Sequence, residues 1–109
     1  MIRNGLYAAQ TKALDGFEGG EIGVVVLRDG TIRGGSSFFY AFGTYSCSDS
    51  NWKGEVTMQE HTPAPMAGRI VSLGFSGTYT DESAVISLTA LVGDRSIRYD
   101  GFFRLLIAD

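Results

Sequence analysis

One cysteine, one histidine and two prolines are all that 109 residues hold of the side chains that commonly staple, ligate or break a chain. With Cys47 alone, no disulfide can form within the chain. Structural metal sites need cysteines and histidines clustered at short spacing, and Cys47 with His61 supplies no such cluster, so no metal or other cofactor is expected. No stretch approaches the roughly 18 apolar residues of a membrane-spanning helix. The segment from Met1 to Tyr7 lacks the apolar core of a signal peptide. Small secreted domains often carry disulfides, so the cytoplasm is the expected compartment. The nine basic residues run from Arg3 to Arg104 without clustering, and 12 acidic residues bring the net charge to −3. Binding to nucleic acid needs a concentrated positive footprint, and none is expected here.

The catalytic signatures are equally sparse. The chain has no Gly-x-Gly-x-x-Gly or Walker-type phosphate loop and no Gly-x-Ser-x-Gly elbow. A Cys–His pair is the first nucleophile to test. Cys47 sits near a hairpin turn and His61 at the far end of the same hairpin, roughly 30 Å away at the rise of a β-strand. Asp81 and Glu82 are adjacent, so on a strand their carboxylates point apart, and a turn role suits them better than acid–base work. The sequence argues for a binding module, not an enzyme.

What is abundant is glycine, 15 residues, beside a hydrophobic fraction of 44 %. That fraction is enough for a core, and the length suits one domain spanning residues 1–109. Period-two alternation dominates. Trp52, Gly54, Val56 and Met58 oppose Lys53, Glu55, Thr57, Gln59 and His61. Val71, Leu73, Phe75, Gly77 and Tyr79 oppose Ser72, Gly74, Ser76 and Thr78. Ala84, Ile86, Leu88 and Ala90 oppose Ser87 and Thr89. Ile97, Tyr99, Gly101, Phe103 and Leu105 oppose Arg98, Asp100 and Arg104. Further strands are expected over Leu6 to Thr11, over Glu21 to Arg28 with its β-branched run, and over Phe38 to Tyr45.

Asp29-Gly30 is the strongest hairpin signal, suited to a tight turn with positive φ. Gly93-Asp94, Asp81-Glu82 and Ser48 to Asn51 read as further turns, and Thr62 to Ala67, with Pro63 and Pro65, as a loop. About eight strands with short antiparallel connections predict an all-β meander closed into a barrel of the lipocalin (calycin) kind, which removes exposed edges. A two-sheet sandwich is the rival. An eight-stranded barrel is just wide enough to be filled by side chains or to hold one small ligand. Trp52, Val56, Phe75, Tyr99 and Phe103 are the expected interior residues, as packed core or as the lining for a small apolar ligand. The strand from Phe38 to Tyr45 carries rings on both faces, so Phe38, Tyr40 and Phe42 are candidates for an exposed patch or a dimer contact.

Three stretches also resemble a known family. Asn4-Gly5-Leu6-Tyr7, then Asp29-Gly30-Thr31-Ile32-Arg33-Gly34-Gly35, then Phe42-Gly43-Thr44-Tyr45 are similar to the GrlR family, small bacterial negative regulators of type III secretion. That family's pattern opens with Asp-Gly-Ile-Tyr and continues with Asn-Gly-x-x-x-Gly-Gly-Asp. The resemblance covers roughly the first 60 residues and implies a lipocalin-like barrel, a homodimer, and repression by sequestering a helix-turn-helix transcription activator without touching DNA. Two departures stand out. Ser36 occupies the place of the final aspartate. The acidic run Glu-Asp-Glu-Asp that engages the activator falls by position on Cys47, Ser48, Asp49 and Ser50, where only Asp49 is acidic, and so much of the steering of a basic partner is lost. Two functions are thus expected side by side: a regulator acting through that turn or the barrel surface, and a carrier or sensor of a small apolar molecule.

Overall fold

The computed structural model describes residues 2–13, 22–62, 70–92 and 95–109. Its strands are β1 (Gly5–Ala13), β2 (Ile22–Arg28), β3 (Thr31–Gly35), β4 (Phe39–Ser48), β5 (Asn51–Glu60), β6 (Ile70–Tyr79), β7 (Ser83–Val92) and β8 (Arg95–Ala108). Each strand pairs antiparallel with its sequence neighbour, and β8 returns to β1. The expected meander barrel of lipocalin-like architecture is therefore the observed one, and the sandwich is not. The turn and loop read at Gly93-Asp94 and Pro63 to Ala67 lie outside the described residues.

The tight turns follow from their residues. Asp29 and Gly30 both have positive φ, 49° and 85°, the pair of left-handed conformations that matches the twist of β2 and β3. Ser48 pairs with Asn51 across Asp49-Ser50, with Asp49 at φ 57°. These turns, the 80–82 connection, the start of β1 and the end of β8 share one end of the barrel, here the turn pole. His61 falls just beyond β5 at the opposite pole, and Phe38 lies in the bend before β4, not on the strand.

Trp52 fills the half of the barrel near the turn pole. Its ring is 98 % buried and meets Tyr45, Phe75 and Phe103 edge-on, at centroid distances of 5.7, 4.8 and 5.5 Å. Such edge-to-face pairs add roughly 0.5–1.5 kcal/mol each beyond the area buried. The indole Nε1 donates to the Val85 carbonyl at 3.3 Å, so the one polar atom of the ring is satisfied. Tyr7, Leu27, Ile32, Ala84 and Ile86 complete this core. Room for the indole comes from an inward-facing glycine. A Cβ on Gly54 would lie 2.1 Å from the Thr44 carbonyl oxygen and 2.9 Å from the Phe75 ring. A residue without a side chain lets strands bend sharply at a barrel corner, and here it also lets β4 and β5 close over a large aromatic.

Outside, the barrel has two unlike halves. The outward positions of β5 to β8 include Lys53, Glu55, Ser76, Ser87, Thr89, Arg98 and Asp100, all exposed.

Candidate functional site

Register places the outward residues of β8, β1, β2, β3 and β4 in rows. One row runs Arg104, Ala8, Val24, Gly35, Tyr40; the next runs Ile107, Leu6, Val26, Arg33, Phe42. Ile22, Phe38 and Phe102 flank them and are exposed, Ile22 at 76 %. A register shift between Leu6 and Tyr7 leaves Leu106 as an extra residue on β8, and Leu106 and Ile107 are both exposed as a result. The Tyr40 and Phe42 rings stack at 6.2 Å with 23° between their planes. This is a continuous apolar sheet face, of the kind that marks an interaction site when rimmed by polar groups.

The sequence-predicted residues divide between places. Phe38, Tyr40 and Phe42 lie on this outer face, as expected of an exposed aromatic patch. Trp52, Phe75 and Phe103 pack on one another inside, while Val56 and Tyr99 are half-buried against that core toward the other pole. Ser48, Asp49 and Ser50 are exposed on the turn. Cys47, the first residue of that run, is placed differently from the other three. It shares the inward face of β4 with Tyr45, pairs in register with Trp52, and sits half-buried against the core. Alternation sends it inward, whatever its position relative to the turn.

The turn itself is anchored. Tyr79 donates its phenol hydrogen to the Asp49 carbonyl at 2.6 Å and its backbone N–H to the Ser50 carbonyl at 3.0 Å. His61 has a comparable role at the other pole. Its Nε2 lies 3.0 Å from the Ser36 carbonyl and its Nδ1 2.7 Å from Thr62 Oγ1. The carbonyl can only accept, so Nε2 carries a proton there. The His61 backbone N–H also donates to the Phe38 carbonyl at 2.8 Å. This histidine thus fixes the bend that presents Phe38.

Two phenols are buried in the packed half. Tyr7 donates to the Arg3 carbonyl at 2.7 Å, and burial, then the neighbouring Tyr45, pushes its pKa up. Burial also raises Tyr45, against a smaller lowering from the nearby Gly30 backbone, and its enclosed hydroxyl makes no hydrogen bond of good geometry. Cys47 and His61 stand at opposite poles, and among the described residues no group of three or more His, Cys, Asp or Glu could hold a metal ion.

The outer face of β2 and β8 was missed in the sequence, although a signal was present. Ile22, Val24, Val25, Val26 and Leu27 do not alternate, and an antiparallel strand with one solvated face should. The consecutive pairs Phe102-Phe103 and Leu105-Leu106 carry the same message. No family matches this chain, and no curated protein matches it in sequence.

Proposed function

We propose that this chain is a non-enzymatic regulatory protein that acts by binding another protein through the surface of its barrel. The observation that supports this reading most is the apolar outer face with the exposed Tyr40–Phe42 stack. The resemblance of the Asn4, Asp29 and Phe42 stretches to the GrlR family suggests the partner class, a helix-turn-helix transcription activator, and the regulated process, type III secretion. In that setting the chain is a cytoplasmic repressor that touches neither DNA nor membrane. The family resemblance also suggests a homodimer.

The test is recovery of tagged protein from its own host after cross-linking, with bound proteins identified by mass spectrometry. A helix-turn-helix activator, recovered reproducibly and rebinding in purified form, is the expected result. Recovery of the chain alone would sink the reading.

The carrier reading has one specific observation in its favour. Val56, Met58 and Tyr99 are only half-buried on the inside of the half away from the turns. A small apolar ligand would sit there, above the Trp52 cluster, and would quench or shift the emission of Trp52. No response of that emission to a panel of fatty acids and aromatic ligands would count against it.

A further inference from the structure

Apart from the Arg28–Asp109 pair at the turn pole, the charge on the apolar outer face is positive. Arg33 lies between Val26 and Phe42 in register, and Arg104 is paired with Ala8 on the side of β8 that faces β1. Among the described residues the one salt bridge joins Arg28 to Asp109 at 2.9 Å, so Arg33 and Arg104 have no carboxylate partner there. Arg104 ends the stripe of Ala8, Val24 and Gly35, and Arg33 lies two residues along β3 from Gly35, so the two stand three strands across and two residues along, roughly 16 Å apart.

Gly35 shapes the middle of that stripe. It faces outward between Val24 and Tyr40, and even a Cβ there would lie 2.7 Å from the Phe39 carbonyl oxygen. The missing side chain leaves only a shallow notch between the Val24 and Tyr40 side chains, floored by the Phe39 carbonyl. Arg33 is two residues along the same strand and face, roughly 7 Å away. An apolar side chain in the notch would therefore hold a carboxylate about one helical turn away within reach of the guanidinium, since a turn rises about 5.4 Å. Arginine's planar fork suits bidentate binding of that carboxylate.

We infer that the outer face of β8, β1, β2, β3 and β4 docks an acidic amphipathic helix, whose apolar side chains seat on Val24, Gly35 and Tyr40 and whose carboxylates meet Arg33 and Arg104. This rests on the protein-binding role proposed above and specifies the chemistry of the partner segment. A second copy is the poorer occupant on charge grounds. A symmetric dimer applies the same patch to itself, and this patch would bring four arginines into one interface with no acidic counterpart. The turn at Asp49, with one carboxylate, offers no comparable match for a basic partner.

The test uses the intact chain and two synthetic amphipathic peptides of about 18 residues, long enough to form a helix on docking. Both carry the same Leu and Phe positions on one face, with Glu at every polar position in one peptide and Lys in the other. The Glu peptide should bind at least about tenfold more tightly than the Lys peptide, and its binding should weaken as salt rises. The double variant Arg33→Glu, Arg104→Glu should reverse the preference while keeping the buried emission of Trp52 that reports an intact barrel. Equal affinity for the two peptides, binding of neither, or an unchanged preference in the folded double variant would overturn the inference. So would a dimer by sedimentation that Tyr40→Arg dissolves, since a second copy would then hold the face. A host partner that binds the double variant as well as the native chain removes this face from the site but leaves the binding role standing. If no host partner exists, the binding role falls whatever the peptides do.

Discussion

Asn4 and Asp29 hold each other by two hydrogen bonds: Asn4 Nδ2 donates to Asp29 Oδ1, and the Asp29 backbone N–H donates to Asn4 Oδ1, both at 3.0 Å. The two residues belong to two of the stretches that resemble a known family, and here they join β1 to the β2–β3 turn. Around them the Asp109 N–H donates to the Asn4 carbonyl at 3.0 Å, and the Tyr45 N–H donates to the Gly30 carbonyl at 2.9 Å. Asn4, Asp29, Gly30 and Asp109 thus tie the barrel together at the turn pole. What they transmit about the fold is direct; what they transmit about a partner is indirect.

Asn4→Ala should lower stability by about 1 kcal/mol, the usual net value of exposed hydrogen bonds, and leave partner binding unchanged. Urea denaturation followed by Trp52 emission measures the first, and peptide titration the second. A binding defect without a stability change would make Asn4 part of the site.

Gly54 and Gly74 form a matched pair. Gly54→Ala meets the Thr44 carbonyl and the Phe75 ring, whereas a Cβ on Gly74 meets nothing within 4 Å. Gly54→Ala should cost at least about 2 kcal/mol through overpacking. Gly74→Ala should stay within about 0.5 kcal/mol of the native chain, as most surface changes do. Similar midpoints for the two variants would contradict the closure of β4 and β5 over Trp52.

Tyr45→Phe removes a buried hydroxyl that makes no hydrogen bond of good geometry. The ring and its edge contact with Trp52 remain, so the variant should gain about 1 kcal/mol. Loss of stability instead would mean that the hydroxyl is satisfied in solution by an internal water.

Alkaline pH should unfold the chain by way of its buried phenols. Tyr7 and Tyr45 have pKa values raised above the ordinary 10.0, mainly by burial. Between that value and the raised one, the unfolded chain has lost protons that the folded chain keeps, so stability falls as pH rises. The contribution is whole below about pH 10 and is lost progressively above it. Urea midpoints from pH 8 to 11, with tyrosinate absorbance, should show this decline, and it should be smaller in Tyr45→Phe.

Asp49→Lys separates the turn from the outer face. Asp49 is exposed and its backbone is held by Tyr79, so the change should leave binding of the acidic peptide undiminished. A tenfold or greater loss of that binding, which is about 1.4 kcal/mol, would place the turn in the site after all.

The strands were legible because Trp52 to Met58, Leu73 to Tyr79 and Ala84 to Leu88 alternate cleanly, and Asp29-Gly30 announces its turn. The inward face of Cys47 was legible by the same alternation, two residues after Tyr45, yet matching to a family's acidic run placed it on the surface. The outer face was hidden for a different reason. Ile22 to Leu27 is apolar on both faces, so period two fails where the strand has two apolar surfaces to serve. Arg33 and Arg104 gave no sign of belonging together, because 70 intervening residues separate positions that the closure of β8 onto β1 brings to one face.

That closure makes the chain nearly a ring. Asn4 and Asp109 are already hydrogen-bonded, so a short link between residues near the two ends would complete a circle without disturbing a strand. A circular permutant opened at Asp49-Ser50 would keep every strand pairing of the barrel except the covalent hairpin between β4 and β5. Folding would then have to join those strands last, as it now joins β1 and β8. The same geometry governs fusions: a domain attached to either end leaves from the turn pole, clear of the stripe around Gly35.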